Sequence, residues 1–438
     1  MIKKIKLFIN RTKIVRNFYL KLAQREEKIQ ERIDCLAREV QTLKNRINIH
    51  QCKSIHVVFV CHSPSSWGSL ESVYQTINED TNFKVTVIAV PFRHSTFNDN
   101  ELYDGGMAEL LLKNGIDFVY GYDKHNKEWI DLQKLFPDYI FFQTPYDSQF
   151  PYIYSAAYVS LFAKICYVPY YGTLLYKGVV DKITHPVNYF KYVSFYFVPH
   201  EEEQKALVNK FLGILRQDQI VISGMPKIDY IMNDLPNKSS EWKRGLNSNV
   251  IRILWNTRWR TNEGNCHFFD YKDYFLNFTK VHPEVDFLFR PHPLSFQNFL
   301  KSGELSQAEY DDMILTYNQS PNAKIDFSND YRNTVLTTDI FVSDMSSILY
   351  EFFMTGKPVI YTHRVDGFND FASKLAVGFY WVRNQNELNE KLLMLLHGDD
   401  PLKPIRQKLI KELLLNSRVG ASLLIKETLR KDFINSNT

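Results

Sequence analysis

The chain has 438 residues, a net charge of +4, 45% hydrophobic residues and 23% charged residues. That length exceeds one ordinary core, and that composition is globular rather than disordered. The small net charge gives no footprint for nucleic-acid binding.

The first fifty residues differ from the rest. Lys3 to Arg25 contains no acidic residue, and its Lys and Arg side chains interleave with Ile5, Phe8, Ile9, Val15, Phe18 and Leu22. Such a basic amphipathic segment suits an anionic membrane surface, so residues 1–25 are expected to contact one. A solvated helix packed on its own protein is the plainer reading. Ile29, Ile33, Leu36, Val40, Leu43 and Ile47 then follow a heptad pattern. Branched residues at one seam position and mostly Leu at the other favour a parallel two-stranded coil, so residues 29–47 are a candidate homodimer contact. No apolar run approaches the roughly 18–20 residues that cross a bilayer. Cys35, Cys52, Cys61, Cys166 and Cys266 include no C-x-x-C spacing, which fits neither a disulfide framework nor a zinc site.

After Lys53, apolar runs alternate with helical stretches. Strands are expected at Ile55–Cys61, Phe83–Val90, Asp117–Tyr120, Tyr139–Gln143, Lys164–Val168 and Val193–Val198. A polar link near residues 233–249 follows, and the pattern restarts. Strands at Ile251–Trp255, Asp286–Arg290, Ile340–Ser343 and Val359–Thr362 bracket helices at Asp270–Lys280 and Ser346–Met354, and the tail from Gln385 reads as helical. Alternation of this kind indicates parallel, doubly wound sheets. The expected fold is α/β. A helical or coiled-coil extension (1–50) precedes a Rossmann-like acceptor domain (51–235). A Rossmann-like nucleotide-donor domain with terminal helices (236–438) completes it. Two such halves facing a cleft form the GT-B architecture.

In open α/β sheets, ligands sit at the carboxyl ends of the strands. Three strand ends stand out in the second half. Arg290-Pro291-His292-Pro293 fixes a histidine between two prolines. Histidine suits proton transfer, or stabilisation of a leaving phosphate when charged. Asp344, Ser346 and Ser347 precede a helix, where hydroxyls and open backbone N–H groups attract an anion such as a diphosphate. Glu351, one turn on, is placed to reach a ribose hydroxyl. Thr257, Arg258 and Arg260 follow the strand from Ile251 and offer phosphate ligands. Gly224-Met225-Pro226-Lys227-Ile228-Asp229 reads as a turn joining the halves. In the first half, His62 follows the first strand and is a candidate base. Trp67 is placed either to stack on an acceptor sugar or to pack.

GMPKID, ILWNTRWR, RPHP and SDMSSILYEFFMTGKPVIY, in that order, resemble the CDP-glycerol glycerophosphotransferase family of teichoic-acid and capsule-polymer synthesis. The resemblance spans roughly Ile220 to Arg364. It implies a GT-B transferase at the cytoplasmic face of a bacterial membrane, peripherally attached, with a lipid-linked or polysaccharide acceptor. It implies a CDP-linked polyol donor as substrate and no tightly bound cofactor or metal. By the resemblance, His292 is the catalytic or leaving-group histidine with Arg290 beside it. Ser346 and Ser347 hold phosphate, and Thr257 and Arg260 match the strand-end motif. One departure stands out. The family's first-half His-Gly-Thr, whose histidine is taken as the base, corresponds here to Tyr171-Gly172-Thr173. A tyrosine with a pKa near about 10 is a poor base at neutral pH. Gly172 and Thr173 remain for phosphate, and Tyr171 is left as an acceptor contact. A glycosyltransferase using a nucleotide sugar is the runner-up, and a non-catalytic membrane-associated subunit a third reading.

Overall fold

The computed structural model describes residues 54–93, 101–173, 175–177, 187–233, 241–246, 248–262, 264–328, 331–362, 367–415 and 420–437, with Ile33 and Leu36. The expected membrane segment (1–25) and the rest of the heptad segment lie outside the described residues. Ile33 and Leu36 are helical and exposed.

The first half is a seven-stranded sheet. Its strands are β1 (Ile55–Cys61), β2 (Phe83–Ala89), β3 (Val119–Tyr120), β4 (Tyr139–Phe142), β5 (Lys164–Tyr167), β6 (Val193–Val198) and β7 (Ile220–Ile222). They run in parallel in the order β3-β2-β1-β4-β5-β6-β7. Val58, Val60, Ile140 and Phe142 feed one core, while Val57, Phe59, Tyr139 and Phe141 feed the opposite one. Both faces are covered, so these strands read as continuous apolar runs. Helices α1 (Pro64–Trp67), α2 (Glu71–Asn78), α3 (Met107–Lys113), α4 (Glu201–Lys210) and α5 (Pro226–Asn233) accompany them.

The second half repeats the plan. Strands β8 (Ile251–Thr257), β9 (Val285–Pro291), β10 (Ala323–Ile325), β11 (Ile340–Ser343), β12 (Val359–Thr362) and β13 (Phe379–Val382) take the order β10-β9-β8-β11-β12-β13. All pairs are parallel. In both halves the order reverses beside the first strand. That crevice is where open α/β sheets bind ligands. The helices here are α6 (Phe268–Val281), α7 (Ser295–Ser302), α8 (Gln307–Gln319), α9 (Arg332–Thr337), α10 (Ile348–Phe353), α11 (Asp370–Ala376), α12 (Gln385–Leu396), α13 (Lys403–Leu415) and α14 (Ala421–Asn437). Two doubly wound halves of this kind make the GT-B fold.

One boundary needs correcting. The terminal helices were expected with the second half, but α14 returns to the first. Ile425 and Leu429 bury in the core beneath β1, and Tyr139 donates to the Leu429 carbonyl at 3.0 Å. The crossing is anchored by Asp229 of GMPKID. Its carboxylate accepts the Ala421 and Ser422 backbone N–H groups at 2.9 and 2.7 Å, capping α14 from a distant part of the chain.

Candidate active site

The strand register brings the second-half motifs together. Asn256 lies opposite Arg290 on one side and Ser343 on the other, and Thr257 lies opposite Pro291. NTRWR, RPHP and SDMSS therefore emerge side by side at the switch point. Asn256 Nδ2 ties two of them, donating to the Arg290 carbonyl at 2.8 Å. The Thr257 hydroxyl and the Asn256 side-chain oxygen are buried with no hydrogen-bond partner.

His292 is half-buried and follows β9 directly. Its Nδ1 accepts the Leu294 backbone N–H at 3.2 Å, which leaves the proton of the neutral ring on Nε2. The ring lies along the Trp259 indole at 5.9 Å and 27°. The Arg260 guanidinium sits 3.9 Å from the same indole. Trp259 thus gathers one imidazole and one cation from two motifs. Ser346 accepts the Ile348 N–H at 3.2 Å within a short turn, and Ser347 is exposed at the start of α10.

Three expected ligands are engaged elsewhere. Arg290 pairs with Asp326 and donates to Ser328 Oγ at 3.1 Å and the Ser328 carbonyl at 2.7 Å. Its fork holds the 326–328 loop. Asp344 is 1% exposed and accepts the backbone N–H groups of Arg258 at 2.6 Å and His267 at 2.9 Å. Burial pushes its carboxyl up to about 8. It braces the loop that carries Arg258, Trp259 and Arg260. Glu351 is fully buried, accepting from Tyr331 Oη at 2.7 Å and lying 3.5 Å from Lys227 Nζ. It faces the other half instead of a ribose.

In the first half, Trp67 is 1% exposed and packs on Phe59 and Tyr74. It is a core residue and offers no face to a sugar. Tyr171 turns its hydroxyl inward, 3.0 Å from that of Tyr196, and burial holds its pKa well above 10. Gly172 has a φ of +80°, a left-handed conformation that favours glycine, and it packs against the end of the Met225 side chain of GMPKID. His62 is 2% exposed, wedged edge-on between Phe92 and Phe150, with Nδ1 buried and unpartnered. Desolvation lowers its pKa to about 3, so the ring is neutral.

His200 had no place in the sequence reading. It follows β6 and caps α4, and its Nδ1 accepts the Glu203 N–H at 3.2 Å. That fixes the neutral tautomer with a proton on Nε2, which lies 2.9 Å from Thr173 Oγ1. Thr173 in turn donates to Glu203 Oε2 at 2.9 Å. Its hydroxyl is therefore held inside the protein. Glu202 Oε2, 3.3 Å from Nδ1, favours a charged ring, but desolvation outweighs it and the pKa falls to about 4. The signal was available: a histidine straight after an apolar strand, as in RPHP. Lys227 was visible too, but was read as part of a turn.

Loops from the strand ends of both halves meet along one seam. Arg332 donates to Glu71 at 2.6 Å, Lys374 pairs with Glu202 at 3.0 Å, and the His200 ring stacks on Phe371 at 3.7 Å. Among the described residues no group of His, Cys, Asp and Glu could hold a metal ion. Among them, too, no helix is long and apolar enough to cross a membrane.

Residues 184–369 match the family model described as CDP-Glycerol:Poly(glycerophosphate) glycerophosphotransferase. A structure of the wall teichoic acid polymerase TagF with CDPG is similar at a TM-score of 0.55 and 16% identity, covering 96% of this chain and 99% of that one. A UDP-N-acetylglucosamine 2-epimerase is similar at 0.57 and 13%, covering 81% and 91%. The UDP-GlcNAc 2-epimerase from Neisseria meningitidis bound to UDP-GlcNAc is similar at 0.53 and 14%, covering 83% and 100%. At such identities the likeness shows the fold alone. No curated protein matches the sequence.

Proposed function

We propose that this chain, whose residues 184–369 match the CDP-glycerol:poly(glycerophosphate) glycerophosphotransferase model, is a transferase of that type that moves a polyol phosphate from a CDP-linked donor. The acceptor is a hydroxyl of a teichoic-acid-like or surface-polysaccharide chain. The acceptor oxygen bonds to the β-phosphorus, the bond from that phosphorus to the bridging oxygen breaks, and CMP leaves. The observation that carries this reading is the convergence of Thr257, His292 and the Ser346–Ser347 turn at adjacent strand ends.

Each group has a chemical part. His292 presents Nε2–H to the leaving phosphate, where a positioned donor offsets developing charge. Arg260, set against Trp259, adds a cation, and Ser346 and Ser347 hold the diphosphate. Arg290 and Asp344 act as braces. The acceptor proton passes to solvent, because His62, 2% exposed and wedged between Phe92 and Phe150, is buried away from an entering hydroxyl.

We further propose peripheral attachment to the cytoplasmic membrane face through residues 1–25 and pairing of two chains through residues 29–47. A glycosyltransferase with a nucleotide-sugar donor is the second reading. It is favoured by Tyr171, whose inward hydroxyl leaves no base at that position. The released nucleotide separates the two: CMP for the first, a nucleoside diphosphate for the second.

A further inference from the structure

Lys227 of GMPKID, Arg290 of RPHP and Glu351 of α10 converge on Tyr331, a residue outside every motif. The Tyr331 hydroxyl donates to Glu351 Oε2 at 2.7 Å. Lys227 Nζ lies 5.8 Å from the centre of the Tyr331 ring, and the Arg290 guanidinium lies 5.5 Å from it. Both fall within the roughly 6 Å over which an aromatic face attracts a cation. Lys227 Nζ also lies 3.5 Å from Glu351 Oε1. Lys227 comes from the first half and the other three from the second. Arg290 stands two residues before His292.

Lys227 and Glu351 are both buried. Met225 and Ile228, close on either side of Lys227, enter the core that also holds Leu349, Tyr350 and Phe353 around Glu351. Apolar side chains at both positions would fill such a seam without taking two charges out of water, an exchange that is often neutral or stabilising. Stability therefore does not account for the pair. Apolar contact is non-directional, whereas an ion pair under an aromatic ring is satisfied at one relative placement of α5 and α10. The pair supplies the alignment that packing alone lacks.

We propose that Lys227 is a positioning residue for the transfer: held against Glu351 and Tyr331, it fixes Arg290, and with it the His292 turn, relative to the first half where the acceptor enters. This rests on the transfer reading above. Misplacing reacting groups by about 1 Å can cost about 100-fold in rate, so the alignment matters to the chemistry even though none of the three side chains touches substrate.

Lys227→Met alone would strand the Glu351 carboxylate in the core and risks unfolding the chain. The test therefore uses the full chain with Lys227→Met and Glu351→Leu together, which keeps the seam filled. Thermal unfolding, calorimetry with CDP and release of nucleotide from CDP-glycerol are compared with wild type. In parallel, nitroxide labels on Leu212→Cys and Leu315→Cys, exposed sites on the two halves, report the distance between them by pulsed dipolar spectroscopy. Cys35→Ser and Cys52→Ser are included in every labelled protein, and Cys61, Cys166 and Cys266 are buried. The unfolding midpoint and CDP affinity should stay level, the distance distribution should broaden or shift, and turnover should fall by about tenfold or more. An unchanged distance distribution, or unchanged turnover, overturns the proposal. A parallel loss of CDP affinity overturns it as well, since the pair would then act on donor binding, and so does a double variant that does not fold, since the pair would then hold the fold itself. A wild-type chain that releases no nucleotide from any donor sinks the transfer reading, and the distance distribution alone then decides whether the pair aligns the halves.

Discussion

The Nε2 of His200 lies 2.9 Å from the hydroxyl of Thr173, joining the loop after β6 to the loop after β5. The same imidazole lies flat on Phe371 of the other half, 3.7 Å away and inclined by 18°. One side chain therefore fixes a cleft loop and ties it to α11. His200→Ala removes a buried ring, a stack and a hydrogen bond together. The expected loss of stability is about 2–4 kcal/mol. Urea unfolding checks this, and an unchanged midpoint would show the contact to be idle.

The histidines also set a pH dependence. The folded pKa of His62 lies at about 3, below its ordinary 6.5, because burial disfavours the charged ring. His200 is lowered in the same direction, to about 4. On acidification the unfolded chain takes up these protons first. Stability from His62 is thus full above about 6.5 and is lost as pH falls toward about 3. His62→Gln should flatten the fall in unfolding midpoint between about pH 7 and about pH 4.5. A variant with the wild-type slope would place the acid sensitivity elsewhere.

Trp67 separates packing from recognition. It is 1% exposed, so Trp67→Ala should cost about 3–5 kcal/mol of stability through the cavity it leaves. Trp67→Phe, which keeps most of the packing, should leave acceptor KM unchanged. A raised acceptor KM in a well-folded Trp67→Phe protein would restore the sugar-stacking role that burial argues against.

The serine turn offers a direct test of the donor site. Ser346→Ala combined with Ser347→Ala should weaken CDP binding by about tenfold, the scale of one or two lost bonds to phosphate. Calorimetry reads this, and full affinity in the double variant removes both serines from the phosphate site.

Much of this fold was legible in the sequence. Runs such as Ile55–Cys61, Tyr139–Phe142 and Ile340–Ser343 are buried along their whole length, so their continuous apolar texture marks them as strands. Ile220–Ile222, Ala323–Ile325 and Phe379–Val382 went unread. The first two have three residues, too few for a periodic signal, and Lys324 interrupts the second. The strand-end rule singled out His292 and the serine turn, which do lie at adjacent strand ends. It could not tell which polar groups are consumed by distant partners. Arg290 finds Asp326 across 36 positions, Glu351 meets Lys227 from the other half, and Asp229 caps a helix nearly two hundred residues away. The first comes from neighbouring strands of one sheet and the other two from the docking of distant segments, and local pattern holds no trace of them.

The central claim is the nucleotide that leaves. The full chain should be incubated with an acceptor polymer and, in parallel, with CDP-glycerol, CDP-ribitol, UDP-sugars and GDP-sugars, with released nucleotide measured by chromatography. The account predicts CMP from a CDP-polyol, at a rate that His292→Ala lowers by at least about 100-fold. Release of a nucleoside diphosphate from a sugar donor, with no CMP from either CDP-polyol, would contradict it.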